Sequence, residues 1–152
     1  MVVMTNKKYS IILNKKLKQM PSGIAMNVVA HIGAQLGTIN PEIKGTALPD
    51  ISGDLHSGIP IYPNAILYTK GIHLKKLFKE TLLKKEIILI DYPEGGSNTA
   101  DDEEFCKFIS NQKEEDIEYW GIALYGDTEI VNNMTKKCNF WKYNFEQDRR
   151  RQ

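Results

Sequence analysis

The segment from Tyr9 to Gly37 constrains this chain more than any other. It opens with the run Tyr9-Ser10-Ile11-Ile12-Leu13-Asn14 and crosses a basic link. It then continues as Pro21-Ser22-Gly23-Ile24-Ala25-Met26-Asn27-Val28-Val29-Ala30-His31-Ile32-Gly33-Ala34-Gln35-Leu36-Gly37. The short, β-branched run predicts a strand and the longer one a helix, with Ser22 as N-cap and Gly37 as its end. Glycines and alanines at 23, 25, 30, 33 and 34 let such a helix lie close on a sheet, which points to a layered α/β domain. Helical spacing sets Asn27, His31 and Gln35 on one stripe, beside a loop whose Ser22 and Gly23 N–H groups can face an anion.

The remaining chain continues the alternation. Thr38 to Gly58 is rich in Gly, Pro, Asp and Ser and reads as a long loop, and Ile59 to Tyr62 as a short strand that Pro60 and Pro63 place at a sheet edge. Gly71 to Lys85 is an amphipathic helix with Ile72, Leu74, Leu77, Phe78, Leu82 and Leu83 inward. Glu86 to Asp91 contains the apolar run Ile87–Ile90 of a central strand. Thr99 is the expected cap of a helix with Phe105, Phe108 and Ile109 inside. Ile117 to Tyr125 is a further strand, with Trp120, Ile122 and Leu124 opposite Tyr119, Gly121, Ala123 and Tyr125. Glu129 to Lys137 is a last helix, and the tail beyond Phe145 frays. The expectation is an α/β fold with a mixed four-stranded sheet and helices on both faces. It forms one domain over residues 1–152, with an ordered core from about 9 to 145.

Charge and cysteine usage narrow the function classes. Lys+Arg 20 against Asp+Glu 19 gives +1 overall, so there is no global field of the kind nucleic-acid binders carry. Cys106 and Cys138 lie outside any metal-ligand spacing, and Met1 to Ser10 lacks the apolar core of a signal peptide. A reduced, cytoplasmic protein is expected. No segment approaches the length of about 20 apolar residues that a membrane span requires. No pattern calls for a metal or cofactor.

Several side chains are candidates for chemistry. Asn27 and His31, four residues apart, can share one ligand or proton; the plainer reading has His31 donating to a backbone carbonyl. Asp91 follows the buried run, at the strand edge where α/β proteins bind ligands, and with Tyr92 is a candidate acid, base or partner for His31. Strand-end aspartates also form turns and caps. Asp54 and His56 can reach over a site from the long loop, although turn chemistry explains the aspartate as well. The lysines at 75, 76, 79, 84 and 85 read as a solvated helix face.

Three stretches carry a family resemblance: Gly23 to His31, Gly58-Ile59-Pro60-Ile61, and Gly121-Ile122-Ala123-Leu124-Tyr125-Gly126 followed by Glu129 to Thr135. Together they resemble the domain-of-unknown-function family number 2000, itself similar in fold to the type II peptidyl-tRNA hydrolases. The resemblance implies a compact mixed sheet with a site near the first strand-to-helix loop, where the hydrolases place a lysine and a glutamine ahead of a histidine. With His31 aligned to that histidine, Ile24 stands at the lysine position and Val28 at the glutamine position. Isoleucine neither pairs a phosphate nor stabilises an oxyanion, which argues against tRNA as partner, although Lys15, Lys16 and Lys18 lie just upstream.

The expected function is binding of a small anionic ligand or nucleotide at the first strand–helix loop. Ser22, Gly23, Asn27, Asp54, His56 and Tyr92 would contact it, and His31 and Asp91 would carry any catalysis. The alternatives are a hydrolase acting on an aminoacyl or peptidyl ester, and a homodimer without chemistry, associating through Trp120, Tyr125, Phe140 and Trp141.

Overall fold

In chain order the elements are β1 (Lys7–Asn14), α1 (Ser22–Ile39), β2 (Leu48–Pro49), β3 (Leu55–His56), β4 (Asn64–Thr69), α2 (Gly71–Leu82), β5 (Ile88–Pro93), α3 (Asp102–Ser110), β6 (Tyr119–Asp127), α4 (Thr128–Thr135) and β7 (Asn139–Phe140). Single 3-10 turns lie at Lys15–Gln19, Pro41–Ile43 and Glu114–Asp116. The structure, a computed structural model, describes residues 6–95 and 101–142. Five strands make a mixed sheet in the order β5-β6-β1-β4-β7, and β2 with β3 forms a separate hairpin. β1 runs parallel to β4 and antiparallel to β6; β5 and β7 are antiparallel to their neighbours.

Period-2 alternation divides the core into two layers. Tyr9, Ile11, Leu13, Ile90, Tyr92, Ala123 and Tyr125 pack beneath Ala25, Val28, Ile32 and Leu36 of α1. On the other face Ile12, Leu67, Ile122 and Leu124 pack against Leu74, Leu77 and Phe78 of α2 and Val131 of α4. Ile12, Ile122 and Leu124 are wholly buried, and each contributes roughly 1.5–3 kcal/mol by leaving water. Gly121 lets α1 sit down on the sheet, because a Cβ there would stand 3.0 Å from Val28 and from Ile32.

The sheet therefore has five strands where the sequence suggested four. The run Ile59–Tyr62 is not a strand. Pro60 and Pro63 lack N–H donors, and the paired segment is the next one, Asn64–Thr69, which bonds β1 on one side and β7 on the other. The long loop folds on itself through the β2–β3 hairpin, with Gly45 and Gly58 at the crossing. A Cβ on Gly45 would fall 1.7 Å from the Ile59 carbonyl oxygen. Helix α1 begins at Ser22 with Pro21 as N-cap and no side-chain cap, and it continues past Gly37 to Ile39, with Asn40 as its C-cap. Thr99 lies outside the described residues; Asp101 caps α3 by accepting from the Glu104 N–H. No α3 residue is fully buried, and Phe108 is exposed. Ile72, Leu82 and Leu83 of the α2 stretch also face outward. The tail beyond Phe145 lies outside the described residues.

From Ile122 to Tyr125 the residues of β6 alternate between the layers as expected, but one irregularity reverses the facing at its start, at Tyr119 and Trp120. Tyr92 pairs with Gly121 and Pro93 with Tyr119, so Trp120 is the extra residue of a β-bulge. Trp120 turns into the α1 layer and Tyr119 into the α2 layer, where it stacks on Phe78 at 4.4 Å.

Candidate functional site

β1 and β4 are parallel neighbours whose carboxyl ends, Asn14 and Thr69, lie in register. After Asn14 the chain crosses to the α1 face, and after Thr69 to the α2 face. Such a parting of connections opens a crevice at the strand ends, where open α/β sheets bind ligands. A crevice of about 720 Å³ stands at this point, with Lys15, Lys16, Lys70 and Lys75 in its walls.

Local chemistry fixes its floor. Asn14 is buried; its side-chain nitrogen donates to the Tyr119 carbonyl oxygen at 3.1 Å, and its side-chain oxygen accepts from the Lys16 N–H at 3.1 Å. This pins the 3-10 turn carrying Lys15 and Lys16. Leu17 is buried beneath the turn, and the Lys18 ammonium lies 3.8 Å from the Tyr68 ring centre and 5.1 Å from that of Trp141. Gly71 rests on the Asn14 amide, at a point where a Cβ would approach its nitrogen to 2.9 Å. Lys70 is the N-cap of α2 and provides no side-chain cap, so the first-turn N–H groups of α2 point outward without a capping partner. Positive helix end and lysines together favour an anion.

An acidic wall faces the lysines. Lys16 Nζ lies 2.8 Å from Glu118 and 3.5 Å from Glu94. The hydrogen bond that Lys16 donates to Glu118, with the charge of Glu94, holds the Lys16 ammonium above its usual range. Partial burial, then the hydrogen bond shared with Glu118, pushes the Glu94 carboxyl up. Lys16 and then Glu94 hold Glu118 down. Lys75 donates to the Glu115 carbonyl oxygen.

The residues singled out in the sequence do not form one site. His31 is exposed on α1 and its Nδ1 lies 2.9 Å from the Asn27 carbonyl oxygen. A carbonyl only accepts, so Nδ1 carries the proton and Nε2 is left as the ring's acceptor. Its ring meets Tyr92 edge-on at 5.7 Å. Tyr92 belongs to the α1 layer, so its neighbour Asp91 faces the other side and the sheet separates Asp91 from His31. Asp91 keeps contact with solvent, while crowding by the strand and its surroundings raises its carboxyl. On the outermost strand, β5, such a charge blunts edge-to-edge pairing.

Ser22 and Gly23 are exposed at the start of α1, and neither they nor Asn27 line the crevice. Asp54 and His56 sit on the outer hairpin. There Asp50 accepts from the Ser52 and Asp54 N–H groups and pairs with His56 at 3.2 Å. The His56 bond and these backbone donors hold the Asp50 carboxyl low. Of the aromatic residues proposed for self-association, Trp120 and Tyr125 are buried and Phe140 is exposed; Trp141 is half-buried. Among the described residues no group of three or more His, Cys, Asp and Glu could hold a metal ion.

Sequence reasoning missed Asn14, Lys70 and Gly71, and treated Lys75 as plain surface. The available signal was Ala65-Ile66-Leu67-Tyr68-Thr69 running directly into Lys70-Gly71, a strand joined to a helix by one basic residue. A larger groove of about 900 Å³ runs between α2 and α4. Lys76, Lys84, Lys136 and Lys137 mix there with Glu80, Glu86 and Glu129, a balance like that of the crevice, whose four lysines stand with Glu115, Asp116 and Glu118. The crevice differs in joining the end of β1 at Asn14 to the uncapped start of α2 at Lys70 and Gly71. Cys138 on its wall is half-buried, and that burial pushes its thiol up, away from reactivity.

Residues 7–142 match the family described as Protein of unknown function (DUF2000), and the chain belongs to that family. No curated protein matches it. Among solved structures it is similar to a protein of unknown function, Atu0240, from Agrobacterium tumefaciens strain C58, at a TM-score of 0.78 and 23% identity. That likeness covers 91% of this chain and 100% of the other and shows the fold. No described helix is long and apolar enough to cross a membrane.

Proposed function

We propose that this member of the DUF2000 family binds a small anionic ligand or nucleotide where its first strand–helix loop meets the start of α2. The observation that supports this reading is the convergence of Lys15, Lys16, Lys70 and Lys75 on the crevice between the parting strands β1 and β4. The α2 first turn adds N–H donors with no side-chain cap to compete for them. The binding loop is the one expected from the sequence, but the contacts come from its upstream end and from α2 in place of Ser22, Gly23, Asn27 and His31. A relation to the type II peptidyl-tRNA hydrolase scaffold is part of the same reading, supported by the order of the motifs at Gly23–His31, Gly58–Ile61 and Gly121–Thr135. Val28 is fully buried and Ile24 packs on the same cluster. Both positions therefore do core work, and the reading is binding without the hydrolases' chemistry.

Calorimetric titration of the chain with sulfate, inorganic phosphate, pyrophosphate and nucleoside monophosphates tests this. At least one anion binds, Lys70→Ala weakens it about tenfold by removing a charge-assisted contact, and His31→Ala leaves it unchanged. Binding lost on His31→Ala but kept by Lys70→Ala contradicts the assignment, as does the absence of binding by the whole panel.

A further inference from the structure

Resting on that reading of the crevice, we propose that Glu94 is an acidic latch on it. While ionised, Glu94 helps hold the Lys16 ammonium against the acidic wall, and on taking up a proton it releases part of that hold, so anions bind more tightly as pH falls.

The geometry comes from the ends of three strands. Glu94 follows β5 and Glu118 precedes β6; the Glu94 N–H donates to the Glu118 carbonyl oxygen at 2.8 Å, which sets the two side chains together. Lys16, after β1, reaches both, at 2.8 Å from Glu118 and 3.5 Å from Glu94. Lys16 and Glu118 line the crevice, whereas Glu94 stands behind them toward α3. One ammonium thus faces two carboxylates, and two carboxylates sharing a hydrogen bond do not both stay ionised as pH falls. Glu118 has the closer hold on Lys16 and a second cation in Lys75 of α2, so it keeps its charge. Glu94 is the less exposed of the pair and takes the proton first. The other charged groups at this end are Glu115 and Asp116 of the preceding turn, Lys15 and Lys70 in the crevice, and Glu104 and Lys107 of α3.

The sign follows directly. Partial burial and the bond to Glu118 raise the Glu94 carboxyl, so it protonates above the ordinary glutamate range as pH falls. Each protonated molecule has one negative charge fewer beside Lys16, and the balance at the crevice moves toward the lysines. For an exposed cluster, one such charge changes affinity by about two- to fivefold.

Sulfate is the probe, because its own charge does not change between about pH 7.5 and about pH 5, a span above the ordinary glutamate value of about 4.3. Its affinity for the wild-type chain, for Glu94→Gln and for Lys70→Ala is measured by calorimetry at constant ionic strength. His73, in the first turn of α2, is common to all three proteins. Wild type is expected to gain about two- to fivefold on acidification. Glu94→Gln should start tighter at the upper pH by a similar factor and lose that part of the dependence. Glu94→Ala gives the same comparison should the amide form a new bond to Lys16 or Glu118. Identical pH profiles for wild type and both Glu94 variants, with Lys70→Ala still weakening sulfate, overturn the latch and leave the crevice standing. Sulfate binding indifferent to Lys70→Ala, or absent, overturns the crevice and the latch with it.

Discussion

Gly71 and Asn14 show how two residues without charge set the geometry of a charged site. The Asn14 side chain is held at both ends, by the Tyr119 carbonyl oxygen and the Lys16 N–H, and is therefore a rigid block at the end of β1. Helix α2 reaches the crevice only because residue 71 has no side chain to strike that block. At an unobstructed helix position Gly→Ala stabilises by about 0.4–1 kcal/mol. Here Gly71→Ala is expected to destabilise by about 1–3 kcal/mol, since the amide cannot move without losing a buried hydrogen bond. Urea unfolding decides the sign, and a variant as stable as wild type, or more so, contradicts the contact.

At the scale of elements, β6 carries the sheet: from Tyr119 to Gly126 every residue is buried. Two of these are tyrosines, and burial, ahead of the nearby carboxylates, pushes Tyr119 and Tyr125 each up to about 12 from the usual 10.0. The neutral phenols are favoured in the fold, so their contribution is fully present below about pH 10 and is lost as pH rises through about 12. The urea midpoint should hold steady to about pH 10 and then decline. The double variant Tyr119→Phe, Tyr125→Phe should show the smaller decline, with the lysine titration common to both proteins. Equal declines contradict the assignment.

Elements whose signal is local were legible in the sequence: β1, α1, α2, β5 and β6 all stand along the chain where apolar periodicity placed them, within a few residues, although β5 is an edge strand and not the central one its apolar run suggested. Partners are not local. β4 went unread because its burial comes from lying between β1 and β7, and the neighbouring Ile59–Tyr62 run looked equally apolar. The facing of Trp120 depends on a bulge that only the pairing with Pro93 creates. His31 and Asp91 illustrate the same limit, since which face a strand residue takes is set by its partners' register.

For the whole molecule, the decisive property is topological. Two adjacent parallel strands send their chains to opposite faces, and the gap so made collects basic residues that are far apart in sequence, Lys15 and Lys16 with Lys70 and Lys75. No single segment encodes that gathering, which is why a lysine counted as surface becomes part of a wall. The most direct measurement is an amide chemical-shift titration of the isotopically labelled chain with sulfate. Anion binding at the crevice predicts saturable shifts centred on Gly71, Ile72 and His73 and on the Lys15–Lys16 turn. Shifts centred on Ser22, Gly23 and Asn27, with the start of α2 unmoved, would return the site to the first helix and contradict it.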